Sequence, residues 1–182
     1  YAVARELRKL NTELDVIMLS ADHGGFYSKP MLSNALSSGK TPESIVNGDA
    51  VQMASQLKIS IRPRCRVSAI DQAACEVTLA DGEKIIYNQL VLALGADQVH
   101  LPLSGDGVAN ILTINDLDDY KKFRVALNGK KRISIIGAGL IGCEFANDLA
   151  TAGYHVDVID ISAQPLGRLL PPAGGAFIRQ RL

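Results

Sequence analysis

The chain has 182 residues, enough for one large domain or two small ones. Hydrophobic residues make up 47% and charged residues 21%, a globular balance that excludes a disordered tail or a fibre. Lys plus Arg and Asp plus Glu both number 19, so the net charge is zero and no nucleic-acid surface is expected; no apolar run reaches the ~18 residues of a membrane span.

Ala2 to Leu10 predicts a helix, with Val3, Leu7 and Leu10 on one face, and Val16 to Leu19 predicts a strand. A helix that feeds a strand at once points to a β-α-β unit whose first strand precedes Tyr1. Asp22 to Pro30 is a loop marked by Gly24, Gly25 and Pro30, and Leu32 to Ser38 predicts a short helix. Glu43 to Leu57 reads as one helix with Ile45, Val51, Ala54 and Leu57 on its apolar side. Lys58 to Ile70 has the β-branched composition of strands, broken at Pro63. Glu76 to Leu79 and Lys84 to Tyr87 flank Ala80-Asp81-Gly82-Glu83, a hairpin signal. Gln89 to Leu94 is continuously apolar enough for a buried strand. Gly95 to Gly107 is loop-like, and Asp116 to Leu127 predicts a helix. Ala176 to Leu182 reads as a helix without a cap or stop signal. Both ends therefore look cut from a longer protein. Cys65, Cys75 and Cys143 are too few and too scattered for a disulfide scaffold or a zinc site, and no signal-peptide pattern opens the chain, so a reducing cytoplasm is the expected compartment.

The sharpest signal lies near residue 137. Arg132 to Ile136 is apolar and β-branched, a buried strand by composition. Gly137-Ala138-Gly139-Leu140-Ile141-Gly142 follows, and Cys143 to Ala152 continues as a helix closed by Gly153 where a left-handed cap is wanted. His155 to Asp160 is the next strand, ending in an acid 23 residues after Gly137. Strand, glycine turn, helix, strand and acid are together the dinucleotide fingerprint in its required context. Gly137 permits the sharp turn, Gly139 lets a pyrophosphate approach the backbone, and Gly142 lets the helix pack close to the sheet. The positive helix end faces the phosphates. Asp160 would accept hydrogen bonds from a ribose 2′-hydroxyl and repel a 2′-phosphate, and no cation stands beside it in Ile161-Ser162-Ala163, so NAD is expected over NADP. The plain alternatives are a glycine-rich turn that binds nothing and a strand-end turn residue.

Several stretches then carry a resemblance. Phe26-Tyr27-Ser28-Lys29-Pro30-Met31-Leu32-Ser33, Gln89-Leu90-Val91-Leu92-Ala93-Leu94-Gly95-Ala96, Ile114-Asn115-Asp116-Leu117-Asp118-Asp119-Tyr120 and the run from Gly137 to Ala150 resemble the flavin-dependent pyridine-nucleotide reductases of the disulfide-oxidoreductase superfamily. Within these the chain looks like the bacterial rubredoxin–NAD reductases, over almost its whole length. The resemblance implies an α/β, three-layer, FAD/NAD(P)-binding Rossmann-like fold. It implies two incomplete nucleotide-binding domains: FAD-binding over residues 1–113 and NAD-binding over residues 114–182. In the family a strand and glycine turn for the flavin pyrophosphate would lie before Tyr1, and further segments would lie beyond Leu182; flavin binding by this chain alone is not expected.

The same resemblance carries over individual residues. Lys29 matches a position near the flavin, where a cation would stabilise charge building on the reduced ring; a solvated loop lysine is the plain alternative. Glu144 matches a glutamate reaching the nicotinamide site, able to pair with Lys29 or another base; an acid in the first turns of a helix is favoured by the dipole in any case. Ser20 occupies the likely place of a ribose-binding acid, with Asp22 as its displaced substitute. Val67 matches a backbone contact to adenine. His23, His100 and His155 share no ligand spacing, Arg168 reads as a surface arginine, Cys143 as a packing residue, and Lys121, Lys122 and Arg124 as a wet helix face.

No C-x-x-C or C-x₄-C pair stands near Lys29, so a protein dithiol is not the electron acceptor. The implied reaction is hydride transfer from NADH to FAD, then single electrons to rubredoxin or a similar small iron–sulfur carrier. The alternatives are a sister enzyme serving ferredoxin, nitrite reductase or oxygen, and a non-catalytic nucleotide-binding module.

Overall fold

The computed structural model describes residues 1–99 and 101–181, which form two compact units. Tyr1–Tyr27 and Val46–Val99 make the first; Ser28–Ile45 and the described residues 101–181 make the second. These packing units divide the chain differently from a cut at residue 113, because the segment 28–45 packs with the later residues.

In the first unit, α1 (Ala2–Leu10) leads into β1 (Ile17–Leu19), which pairs in parallel with β4 (Ser60–Arg62). The crossover between them contains β2 (Phe26–Tyr27), antiparallel to β3 (Val46–Gly48), and then α2 (Ala50–Leu57). Ala4, Met53, Leu57 and Ile59 form a buried cluster covered by Tyr1, Val16, Met18, Phe26 and Ile61, so α1 and α2 pack on the β1–β4 pair. Arg8 fastens the two helices further: its guanidinium donates to the Leu57 and Lys58 carbonyls at 2.7 and 2.8 Å, satisfying the orphan acceptors at the end of α2. A three-stranded antiparallel meander follows, β5 (Val67–Asp71), β6 (Glu76–Leu79) and β7 (Lys84–Ile86). The predicted hairpin is present, Thr78 opposite Lys84 and Glu76 opposite Ile86.

Two expectations for this unit are corrected. Residues 43–57 are not one helix. Asp49 accepts the Gln52 N–H at 2.8 Å while the Gln52 side chain accepts the Asp49 N–H at 3.0 Å, a capping box that starts the helix at Ala50 and leaves Val46–Gly48 extended. Residues 89–94 form no strand and are exposed, Leu94 at 83%. A parallel strand needs backbone partners beside it and cover on both faces, and among the described residues β1 and β4 pair only with each other.

In the second unit, α3 (Leu117–Ala126) is capped by Asp116, whose carboxylate accepts the Asp119 N–H at 2.8 Å. β8 (Arg132–Ile136) and β9 (His155–Ile159) run parallel in full register, Arg132 opposite His155 through Ile136 opposite Ile159, with α4 (Leu140–Thr151) as the crossover. Leu117, Tyr120 and Phe123 of α3 and Phe145, Ala146 and Leu149 of α4 are buried, and the Phe123 and Phe145 rings meet edge to face at 5.9 Å. The end of α4 is a Schellman motif. Tyr154 N–H reaches the Leu149 carbonyl and Gly153 N–H the Ala150 carbonyl, both at 3.0 Å, with Gly153 at the left-handed φ of +93° expected of it.

The segment 29–33 is a 3₁₀ helix entered through Pro30, and turns continue to Gly39, so the short helix expected at 32–38 begins earlier and stays irregular. The last helix, α5 (Pro172–Arg179), begins four residues before its expected start, with Pro172 in its first turn where a missing N–H costs nothing. No described helix is long and apolar enough to cross a membrane.

Candidate functional site

The second unit builds its site at the carboxyl end of β8. The chain leaves Ile136 and bends at Gly137, whose φ of +108° is costly for any residue with a side chain. A Cβ on Gly142 would overlap the Gly137 carbonyl, so this glycine is required by close packing within the turn itself. Gly139 is different: nothing lies within 4 Å of where its Cβ would stand, and its backbone is extended at φ −74°. No protein atom demands a glycine there, and a side chain would project into the open space beside the turn. Gly139 is also the N-cap of α4 and offers no side chain to the first-turn amides, so the positive helix end is left bare.

Asp160 closes the other side. One carboxylate oxygen accepts the Ala138 N–H at 2.6 Å and the other accepts the Ser162 N–H at 2.6 Å. These hydrogen bonds, first that of Ala138, hold its carboxyl below the usual carboxylate range, helped by the nearby Arg168 charge. A hollow of about 290 Å³ opens between Ala138, Asp160, Ser162, Gln164 and Arg179. Bare amides, an open cradle at Gly139 and an ionised acceptor at the adjoining strand end fit the diphosphate and ribose of a dinucleotide. Arg179 was not singled out from sequence, since only the return of α5 brings it to this hollow.

Beyond the first turns, α4 carries two carboxylates on one face, Glu144 and Asp148. Glu144 accepts the Ser33 hydroxyl at 2.6 Å. Lys29, four residues before Ser33, is exposed and donates to the Asn115 side-chain oxygen at 2.8 Å. The arrangement therefore brings Glu144 to the Lys29-bearing segment through Ser33, while Lys29 reaches the start of the crossover into α3. Asp148 is 2% exposed and accepts three donors of the same segment. Sequence reading passed over Ser33, Asn115 and Asp148. The one available signal was the spacing of Asp148, one helical turn after Glu144.

In the first unit, Ser20 and Asp22 stand just past the carboxyl end of β1. The Ser20 hydroxyl donates to Asp22 at 2.5 Å, and the same Asp22 oxygen accepts the Gly24 N–H at 2.7 Å. The acid is thus held close to the serine that occupies the strand-end position, a donor set that fits a polyhydroxyl ligand at the end of a parallel strand. Val67 begins β5, opposite Leu79. His23 accepts the Gly25 N–H through Nδ1 at 2.9 Å and stacks on Tyr27; His155 lies beside Asp157 at 3.7 Å; His100 falls outside the described residues. Cys143 is buried with its thiol against the Ala138 carbonyl, and burial, then the Asp160 charge, pushes its pKa up. Arg168 is exposed. Lys122 pairs with Asp119, whereas Arg124 reaches the Lys40 carbonyl at 2.8 Å and is less free than the wet face expected of it.

The sequence model for pyridine nucleotide-disulphide oxidoreductases matches residues 1–182. Rubredoxin-NAD(+) reductase of Acinetobacter baylyi is 50% identical over 176 residues, covering 94% of this chain and 45% of that protein. The enzyme of the same name from Alcanivorax borkumensis is 45% identical over 171 residues, covering 94% and 44%. A crystal structure of NADH:rubredoxin oxidoreductase from Clostridium acetobutylicum superposes with a TM-score of 0.84 and 25% identity, over 99% of this chain and 47% of that one. The chain thus spans slightly less than half the length of the relatives it matches. The α/β class and the incomplete Rossmann-like architecture expected from sequence agree with these likenesses, and the chain belongs to the pyridine nucleotide-disulphide oxidoreductase family.

Proposed function

We propose that this chain is part of an FAD-dependent NADH:rubredoxin-type reductase, with residues 1–113 contributing to an FAD-binding domain and residues 114–182 to an NAD-binding domain. When bound, the flavin supplies the two-electron to one-electron conversion between NADH and an iron–sulfur carrier protein. The chain's own residues bind and orient. Gly137, Gly139 and Gly142 shape the turn that receives the coenzyme diphosphate; Asp160 takes the ribose hydroxyls and disfavours a 2′-phosphate. Ser20, Asp22 and the Val67 backbone serve the adenosine side of FAD. Lys29 offers positive charge on the segment that the resemblance sets beside the flavin, and Glu144 of α4 offers an acceptor against that segment through Ser33. The free thiols Cys65, Cys75 and Cys143 are in keeping with a reducing cytoplasm.

One observation carries this reading: the Asp160 carboxylate accepts the Ala138 N–H at 2.6 Å, which sets an ionised acceptor directly against the glycine turn. The names of the relatives support rubredoxin as partner over a sister acceptor such as ferredoxin, nitrite reductase or oxygen. The test is the visible spectrum of the full-length protein before and after NADH, followed by turnover with purified rubredoxin. A yellow protein that bleaches with NADH and reduces rubredoxin is expected. A colourless protein, unresponsive to NADH, would leave a nucleotide-binding module without redox chemistry.

A further inference from the structure

Asp148 is a carboxylate 2% exposed in the core face of α4, and no cation pairs with it among the described residues. Burying an unpaired charge is costly unless donors compensate. Here three donors do: Leu36 N–H at 3.1 Å on one oxygen, Ser37 N–H at 2.8 Å and the Ser37 hydroxyl at 2.5 Å on the other. All three belong to the irregular turns following the 29–33 helix. One turn earlier on α4, Glu144 accepts Ser33. Two acids spaced by four residues therefore grip one segment at two points. That segment carries Lys29; the helix begins at the glycine turn.

We propose that Asp148 is a positioning residue for the redox site: by gathering the donors of Leu36 and Ser37 one turn beyond Glu144, it sets where Lys29 and Ser33 stand relative to the dinucleotide turn. An apolar side chain would fill the same space, but it would leave two amides unpaired and the segment free to shift. Small misplacement of a site's supporting groups lowers the rate of the chemical step more than it lowers binding. This inference rests on the functional reading given above.

The test uses the full-length, flavin-loaded protein. Asp148→Asn keeps the shape but turns one acceptor into a donor that meets donors; Ser37→Ala removes only the hydroxyl. Three quantities are measured: KM for NADH, the single-turnover rate at which NADH bleaches the flavin absorbance, and hydrogen exchange at the Leu36 and Ser37 amides. For Asp148→Asn a bleaching rate roughly tenfold lower, KM within about twofold of wild type and faster exchange at both amides are expected. Ser37→Ala moves rate and exchange the same way by a smaller factor. A folded, flavin-loaded Asp148→Asn protein with unaltered bleaching rate, or with undiminished protection at Leu36 and Ser37, overturns the proposal. Should that variant not fold, wild-type rate and exchange in Ser37→Ala overturn it equally. If the wild type itself carries no flavin or ignores NADH, the functional reading fails instead, and exchange alone decides whether Asp148 anchors the segment.

Discussion

Gly142 lies so close against the Gly137 carbonyl that no side chain fits between them, whereas Gly139, three residues earlier, faces open space. The two glycines of one motif thus differ: the fold demands one, and the other borders the space proposed for the coenzyme. Gly142→Ala is expected to destabilise the protein by about 1–3 kcal/mol, since the obstructing atom is backbone and cannot swing away. Gly139→Val is expected to leave the melting temperature within a few degrees of wild type while raising the NADH dissociation constant at least tenfold. Thermal denaturation and NADH titration of the full-length protein check both. Equal stability losses in the two variants would contradict the distinction.

Asp160 is the residue proposed to set the choice of coenzyme. Asp160→Ala removes the acceptor for ribose hydroxyls and the negative charge that opposes a 2′-phosphate. The ratio of kcat/KM for NADH over NADPH is expected to fall by on the order of tenfold or more. An unchanged ratio would show that discrimination resides elsewhere.

The charge on Asp160 is expected to persist through mild acid. Its carboxyl is held low by the Ala138 and Ser162 amides. A folded-state pKa below the unfolded value of about 3.9 gives a contribution that is present above that value and is lost as pH falls through the lower folded one. Carbon-13 NMR of the Asp160 carboxyl is expected to titrate below pH ~3.9, so between pH 5 and 8 this group leaves NADH affinity flat. A midpoint at or above pH 5 would refute this.

The three cysteines are expected to separate by reactivity. Cys75 is exposed, Cys65 half-buried and Cys143 buried with its thiol pKa pushed up. Brief iodoacetamide treatment of native protein should label Cys75 first and Cys143 last, with all three labelled after denaturation. Mass spectrometry of the digest reads the order, and early labelling of Cys143 would mean that the start of α4 opens.

Local chemistry was the legible part of the sequence. The glycine turn, α4, its Gly153 stop and the strand ending at Asp160 are each specified by neighbours a few residues away, and they appear where periodicity and turn chemistry put them. The start of α2 was equally local, written in Asp49 and Gln52, but the apolar spacing from Ile45 to Leu57 masked it. Residues 89–94 show the opposite failing: hydrophobicity called for a strand, but a strand exists only with partners, and pairing is not encoded in the run itself. The grip of Asp148 on Leu36 and Ser37 joins residues more than 110 apart in the chain. Nothing in either stretch alone announces it, and an acid on the buried side of a helix is legible only as an anomaly awaiting a tertiary reason.

The uncapped first turn of α4 has a consequence for local order. Because no side chain of its own caps those amides, they are expected to exchange with solvent faster than the middle of the helix, and the proposed coenzyme to slow them on binding.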